Sequence, residues 1–146
     1  MGPMALPGGS LVALPTPFAG DGLDLAAFRD LIDEHVRHRT SGIVVAGTTG
    51  EASTLAESER RDLFRAAVEF ADGRIPVIAG VGTNNTRQSI ELARFADECK
   101  VDGVLVVTPY YNRPSRLGLM RHFGAIADST SVPVVLYNVP GRTGTD

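Results

Sequence analysis

Five short apolar runs recur along this chain at nearly even spacing, and that rhythm limits the folds open to it more than any other feature. They are Leu11–Leu14, Ile43–Ala46, Pro76–Ala79, Gly103–Val107 and Pro133–Tyr137, with starts 32, 33, 27 and 30 residues apart. Each is continuous rather than alternating, the pattern of strands buried on both faces of a parallel sheet. Between them, apolar residues fall at spacings of three and four: Leu25, Phe28, Ile32 and Val36; Leu63, Ala67 and Ala71; Leu119, Phe123 and Ile126. That is helical periodicity. Parallel strands need crossovers of helix length, so the repeat is an iterated βα unit.

Local signals agree. Asp24 and Ser115 are expected N-caps, and Thr54-x-x-Glu57 reads as a capping box. Pro76 and Pro133 stand at strand starts, where a missing N–H costs least. Two architectures satisfy the repeat: an open flavodoxin-like sheet, and part of a (β/α)8 barrel, whose eight units at this spacing come to the roughly 250 residues typical of that fold. Periodicity leaves both open. Residues 1–9 are expected to be a flexible tail, and residues 10–146 to form one domain of four βα units plus a fifth strand.

Composition narrows the function. With 146 residues, 43% of them hydrophobic, the chain can bury one real core. Its net charge of −3 argues against nucleic acid or an anionic membrane as partner. No apolar run approaches the roughly 20 residues of a membrane span. The single cysteine, Cys99, cannot form an internal disulfide. Residues 1–18 are broken by four prolines, and no basic residue precedes Arg29, which is not a secretory signal. A cytoplasmic protein is expected. The basic residues are thirteen Arg and one Lys, Lys100. Any lysine chemistry must use that one.

In either architecture function collects at the carboxyl ends of the strands. Those ends carry Gly47-Thr48-Thr49-Gly50-Glu51, Gly80-Val81-Gly82-Thr83, Pro109-Tyr110-Tyr111-Asn112 and Tyr137-Asn138-Val139-Pro140-Gly141-Arg142. The Gly47–Gly50 turn offers hydroxyls and free amides, a nest for a carboxylate or phosphate, or else a plain βα loop. It is no P-loop, since Gly-Lys-Ser/Thr is absent, and Gly80-x-Gly82 lacks the third glycine of a dinucleotide fingerprint. All three tyrosines of the chain fall on this rim. A phenol there relays a proton or binds a substrate oxygen; any one tyrosine more often caps a core, but three on one rim weaken that reading. Arg142 suits a carboxylate. His35, His38 and His122 do not converge into a ligand set, so no metal is expected.

These rim motifs, with Pro109-Tyr110-Tyr111-Asn112-Arg113-Pro114-Ser115 and Tyr137-Asn138-Val139-Pro140-Gly141-Arg142-Thr143-Gly144, resemble those of the dihydrodipicolinate synthase family of Schiff-base-forming pyruvate lyases and aldolases. The resemblance runs from about Leu11 to the last residue and selects the barrel, here a truncated half-barrel. It implies a lyase without metal or organic cofactor that condenses pyruvate, as a lysine Schiff base, with aspartate semialdehyde in lysine and diaminopimelate biosynthesis.

On that resemblance, Tyr137 is the proton donor and acceptor at the pyruvyl centre. Thr48 and Tyr111 complete the relay, with Tyr111 reaching a neighbouring subunit's site in a homo-oligomer. Thr49 and the amides of Gly47–Gly50 hold the pyruvate carboxylate, and Arg142 holds that of the second substrate. An arginine fork favours the synthase over N-acetylneuraminate lyase or keto-deoxy-sugar-acid aldolase. Lysine-sensitive members carry a histidine and a glutamate where this chain has Glu57 and Gln88. The family's Schiff-base lysine lies on the strand after the one ending at Tyr137. Lys100 precedes Gly103–Val107 and sits at the opposite end, roughly 15 Å away across even a five-residue strand. The 146 residues are therefore expected to be inactive alone. A contrasting expectation is a non-catalytic half-barrel that acts in binding or assembly through open strand edges.

Overall fold

The computed structural model describes residues 6–146. Of the tail expected over residues 1–9, residues 1–5 lie outside the described part. Leu6 and Pro7 lie over Gly103 and Gly42, at the amino ends of two strands.

Five parallel strands form the main sheet: β1 (Leu11–Ala13), β4 (Gly42–Val45), β5 (Val77–Gly80), β6 (Gly103–Val107) and β7 (Val134–Tyr137). Each pairs with its neighbour in sequence, in the order β1-β4-β5-β6-β7. A flavodoxin-like sheet would place its second strand outside its first. Unbroken sequential order is that of a barrel. The four crossovers are α1 (Leu25–Arg37), α2 (Glu57–Ala71), α3 (Thr86–Glu98) and α4 (Arg116–Ala127). Pro76 and Pro133 stand one residue outside their strands, yet their carbonyls still accept from Ile43 and Val104, both at 2.9 Å.

Alternation along the strands separates two faces. Ile43, Val45, Val77, Ala79, Val104 and Val106 join Phe28, Ile32, Leu63, Phe64, Leu92 and Ile126 in one buried cluster under the helices. Full burial of each large side chain there contributes about 1.5–3 kcal/mol. The alternate residues, including Gly80, Leu105, Val107 and Tyr137, line the inner face. On β7, Leu136 faces the helix side but is 61% exposed.

Asp24 caps α1 by accepting from the Ala27 amide at 2.9 Å, and Ser115 caps α4 by accepting from Gly118 at 3.2 Å. The capping box is displaced from Thr54-x-x-Glu57. α2 starts two residues later, with Ala56 as N-cap, and the Glu59 carboxylate accepts from the Ala56 amide at 2.8 Å. Thr54 is instead held in the preceding turn, where its hydroxyl donates to the Glu51 carbonyl. Two elements were not expected. A hairpin pairs β2 (Phe18–Ala19) with β3 (Gly22–Leu23), turning through Gly20 at φ +61°. A single helical turn, α5 (Pro140–Thr143), follows β7 and starts on its proline.

Candidate active site

The carboxyl ends of β4 to β7 enclose a cavity of about 450 Å³ whose wall includes Gly47, Thr48, Tyr110, Tyr137 and Arg142. The close spacing of its floor depends on two glycines. A Cβ on Gly80 would lie 2.1 Å from the Ala46 carbonyl oxygen, and one on Gly82 would lie 2.3 Å from the Val107 amide. Neither backbone atom can yield, so only glycine fits.

Backbone strain gathers around the same rim. Ala46 at φ +52° and Glu51 at φ +59° bracket the Gly47–Gly50 turn, while Tyr111 and Arg113 are also left-handed, at +69° and +46°. Left-handed geometry costs an L-residue roughly 1–2 kcal/mol, and such strain concentrates at functional loops. Within the turn, the Glu51 and Ala52 amides close onto the Thr48 and Gly47 carbonyls. The Thr48, Thr49 and Gly50 amides donate no hydrogen bond among the described residues. Of these, the Thr48 amide belongs to the cavity wall and is placed to meet an anion there.

The expected residues divide by position. Thr48, Gly47, Tyr137 and Arg142 meet on the cavity wall. Thr49 and Gly50 do not line it: Thr49 is exposed on the rim, and Gly50 is buried with its carbonyl accepting from the Thr16 hydroxyl at 2.7 Å. Tyr111 is 90% exposed and turned away, while its neighbour Tyr110 faces the cavity. Arg142 sits on α5, where the buried Thr143 donates to Asn138 Oδ1 at 2.8 Å and fixes the turn. Arg113 ties the loop after β6 to the same turn, its Nε donating to the Gly144 carbonyl at 3.1 Å.

Lys100 is exposed and occupies the left-handed turn that closes α3, before β6 begins. It lies at the amino end of the sheet. Glu57 pairs with Arg61, whose guanidinium, with help from Gln88, holds its carboxyl below the usual carboxylate range against a smaller opposing effect of burial. No group of three His, Cys, Asp or Glu among the described residues can hold a metal, and no helix is long and apolar enough to cross a membrane. Arg60 was not anticipated. It is buried on α2, lines the cavity, and donates from Nη2 to the Gly80 and Gly82 carbonyls.

Residues 6–146 match the Dihydrodipicolinate synthetase family. The chain belongs to that family. It is 53% identical, over 138 residues, to the 4-hydroxy-tetrahydrodipicolinate synthase of Persephonella marina, covering 94% of this chain and 47% of that protein. Its fold superposes with a TM-score of 0.93 on the 4-hydroxy-tetrahydrodipicolinate synthase of Methylacidiphilum fumariolicum SolV, at 46% identity over 94% of this chain and 46% of that one. YagE, a family member from Escherichia coli K12 solved in complex with pyruvate, gives a TM-score of 0.91 at 37% identity, over 94% of this chain and 47% of its own. The chain therefore spans about half the length of the relatives it matches. Its five-stranded parallel sheet is a half-barrel of the (β/α)8 type.

Proposed function

We propose that this chain carries the substrate-binding and proton-relay part of a 4-hydroxy-tetrahydrodipicolinate synthase, which condenses pyruvate with L-aspartate-4-semialdehyde. The observation that carries this reading is the meeting of Thr48, Tyr137 and Arg142 on one cavity wall. YagE's complex with pyruvate supports the first substrate.

Pyruvate's carboxylate lies against the Thr48 amide at the cavity wall, with the Thr49 hydroxyl on the adjoining rim, where N–H and O–H donors stabilise negative charge. Its carbonyl carbon then faces the Tyr137 phenol. That phenol gives and takes the proton as the enamine forms and attacks the aldehyde, and the Thr48 hydroxyl passes the proton onward. Arg142, at the cavity mouth, binds the carboxylate of the aldehyde, a charge-assisted contact that a hydroxylated sugar chain cannot match. Tyr111, exposed and aimed outward, completes the relay of a second subunit in a cytoplasmic homo-oligomer. Glu57 is already paired with Arg61, which argues against feedback by lysine.

The nucleophile is not Lys100, which lies at the wrong end of the sheet. The Schiff base from which the enamine forms needs an amine other than that of Lys100. Borohydride reduction in the presence of pyruvate, read by intact mass and peptide mapping, tests this. The expected result is an unmodified Lys100 in the 15.5 kDa chain. A pyruvyl adduct on Lys100 would overturn the assignment.

A further inference from the structure

Arg60 lies in the apolar stripe of α2 with Leu63, Phe64 and Ala67, at only 4% exposure. Arginine is rarely buried this deeply without a carboxylate partner. None of the ion pairs among the described residues includes it. Glu57, one turn earlier, is engaged by Arg61 at 2.7 Å. The Gly80 and Gly82 carbonyls occupy Nη2 alone. Nε is sealed from solvent with no acceptor, and Nη1 makes no hydrogen bond among the described residues. The guanidinium thus brings a full positive charge, with Nη1 uncommitted to any residue among those described, into the wall that also presents Thr48, Tyr110 and Tyr137.

Two neutral carbonyls offset only part of the cost of burying this charge. Burial pushes the guanidinium's pKa below its usual range, the direction that a bound anion reverses. With Nη2 committed to the strand, a two-pronged fork onto a large oxyanion is not available. What remains suits one compact negative centre, and the burial of Arg60 strengthens its attraction.

We propose that Arg60 forms the floor of an inner anion subsite that takes a compact monoanion, either a halide or the carboxylate of bound pyruvate, shared with the Thr48 turn on the same wall. The carboxylate source rests on the reading of this cavity as a pyruvate site, and the halide source does not. The subsite is distinct from Arg142, which is exposed on α5.

Chloride NMR line width, titrated against the 146-residue chain, is the test. Wild-type chain should broaden the chloride line. Arg60→Gln, which removes the charge, should bind chloride about tenfold more weakly or worse, as loss of a charged hydrogen-bond partner requires. Arg60→Lys should restore most of the broadening, and Arg121→Gln, on the exposed face of α4 away from the cavity, should leave it in place. Circular dichroism of each variant confirms that it is folded.

Pyruvate added to the wild-type sample separates the sources. Loss of broadening identifies the substrate carboxylate as occupant, and unchanged broadening identifies a separate ion. Equal broadening by wild type and folded Arg60→Gln would overturn the subsite. Pyruvate binding without any chloride signal would overturn it too, leaving the proposed function intact. A chloride signal without pyruvate binding would do the reverse.

Discussion

Tyr137 stands directly across the β6–β7 ladder from Val107, and both side chains line the cavity. The register therefore sets the phenol's position. A slip of one residue would turn Tyr137 to the helix side and bring Leu136 inward. The inner face of a parallel sheet is thus where fold and proposed chemistry are specified together.

Gly80→Ala is expected to be severe. Its methyl would lie 2.1 Å from the Ala46 oxygen and 2.7 Å from the Ala46 carbonyl carbon, both backbone atoms. Overpacking against backbone costs about 3 kcal/mol or more. Urea unfolding should show that loss, and a loss under about 1 kcal/mol would mean β4 and β5 are less tightly apposed than the structure shows.

His122 should make stability depend on pH in the mildly acidic range. It is buried, its Nδ1 pairs with the Thr86 hydroxyl at 2.8 Å, and Nε2 has no partner. Burial holds its pKa below the ordinary 6.5. The unfolded chain therefore binds a proton near pH 6.5 that the folded chain refuses. Stability contributed by the neutral ring is complete above that pH and falls as pH drops towards the folded value. His122→Gln should flatten this part of the profile in urea melts between about pH 7.5 and about pH 5.5. An unchanged slope would exclude His122 as its source.

Arg142→Ala should weaken binding of succinate semialdehyde, which carries a carboxylate, by about tenfold or more, as for other hydrogen bonds to charged groups. Acetaldehyde, lacking that group, should be unaffected. Calorimetric competition in the presence of pyruvate reads both. Equal losses for the two aldehydes would remove Arg142 from substrate selection.

Self-association is expected through the outer face of β7 and α4. Leu136, Leu117 and Met120 are 61%, 55% and 66% exposed, and β7 pairs on one side only among the described residues. Exposed apolar surface beside an open edge favours pairing. Size-exclusion chromatography should give a species larger than 15.5 kDa that shifts towards monomer in Leu136→Lys. A clean wild-type monomer would contradict this.

The strands and helices were legible because β-branched runs and three-four spacing are dictated by burial. The β2–β3 hairpin was not, since two-residue strands leave no periodicity, although Gly20-Asp21-Gly22 marks its turn. Thr54 misled because a hydroxyl serves a turn as readily as a cap. Arg60 was hidden in the charged string Glu57-Ser58-Glu59-Arg60-Arg61, which reads as a solvated face. The available signal was its spacing of three and four from Leu63 and Phe64, which puts it on the buried stripe. Tyr110 and Tyr111 are adjacent in sequence. Only the left-handed turn at Tyr111 separates the one facing the cavity from the one facing out.

Pyruvate titration followed by backbone amide NMR on the 146-residue chain tests most directly whether this cavity is the substrate site. Shifts should concentrate on Thr48, Thr49 and Gly50, with smaller ones at Tyr137, and Lys100 should not move. Absence of shifts in the Thr48–Gly50 turn, or shifts centred on Lys100, would contradict the assignment.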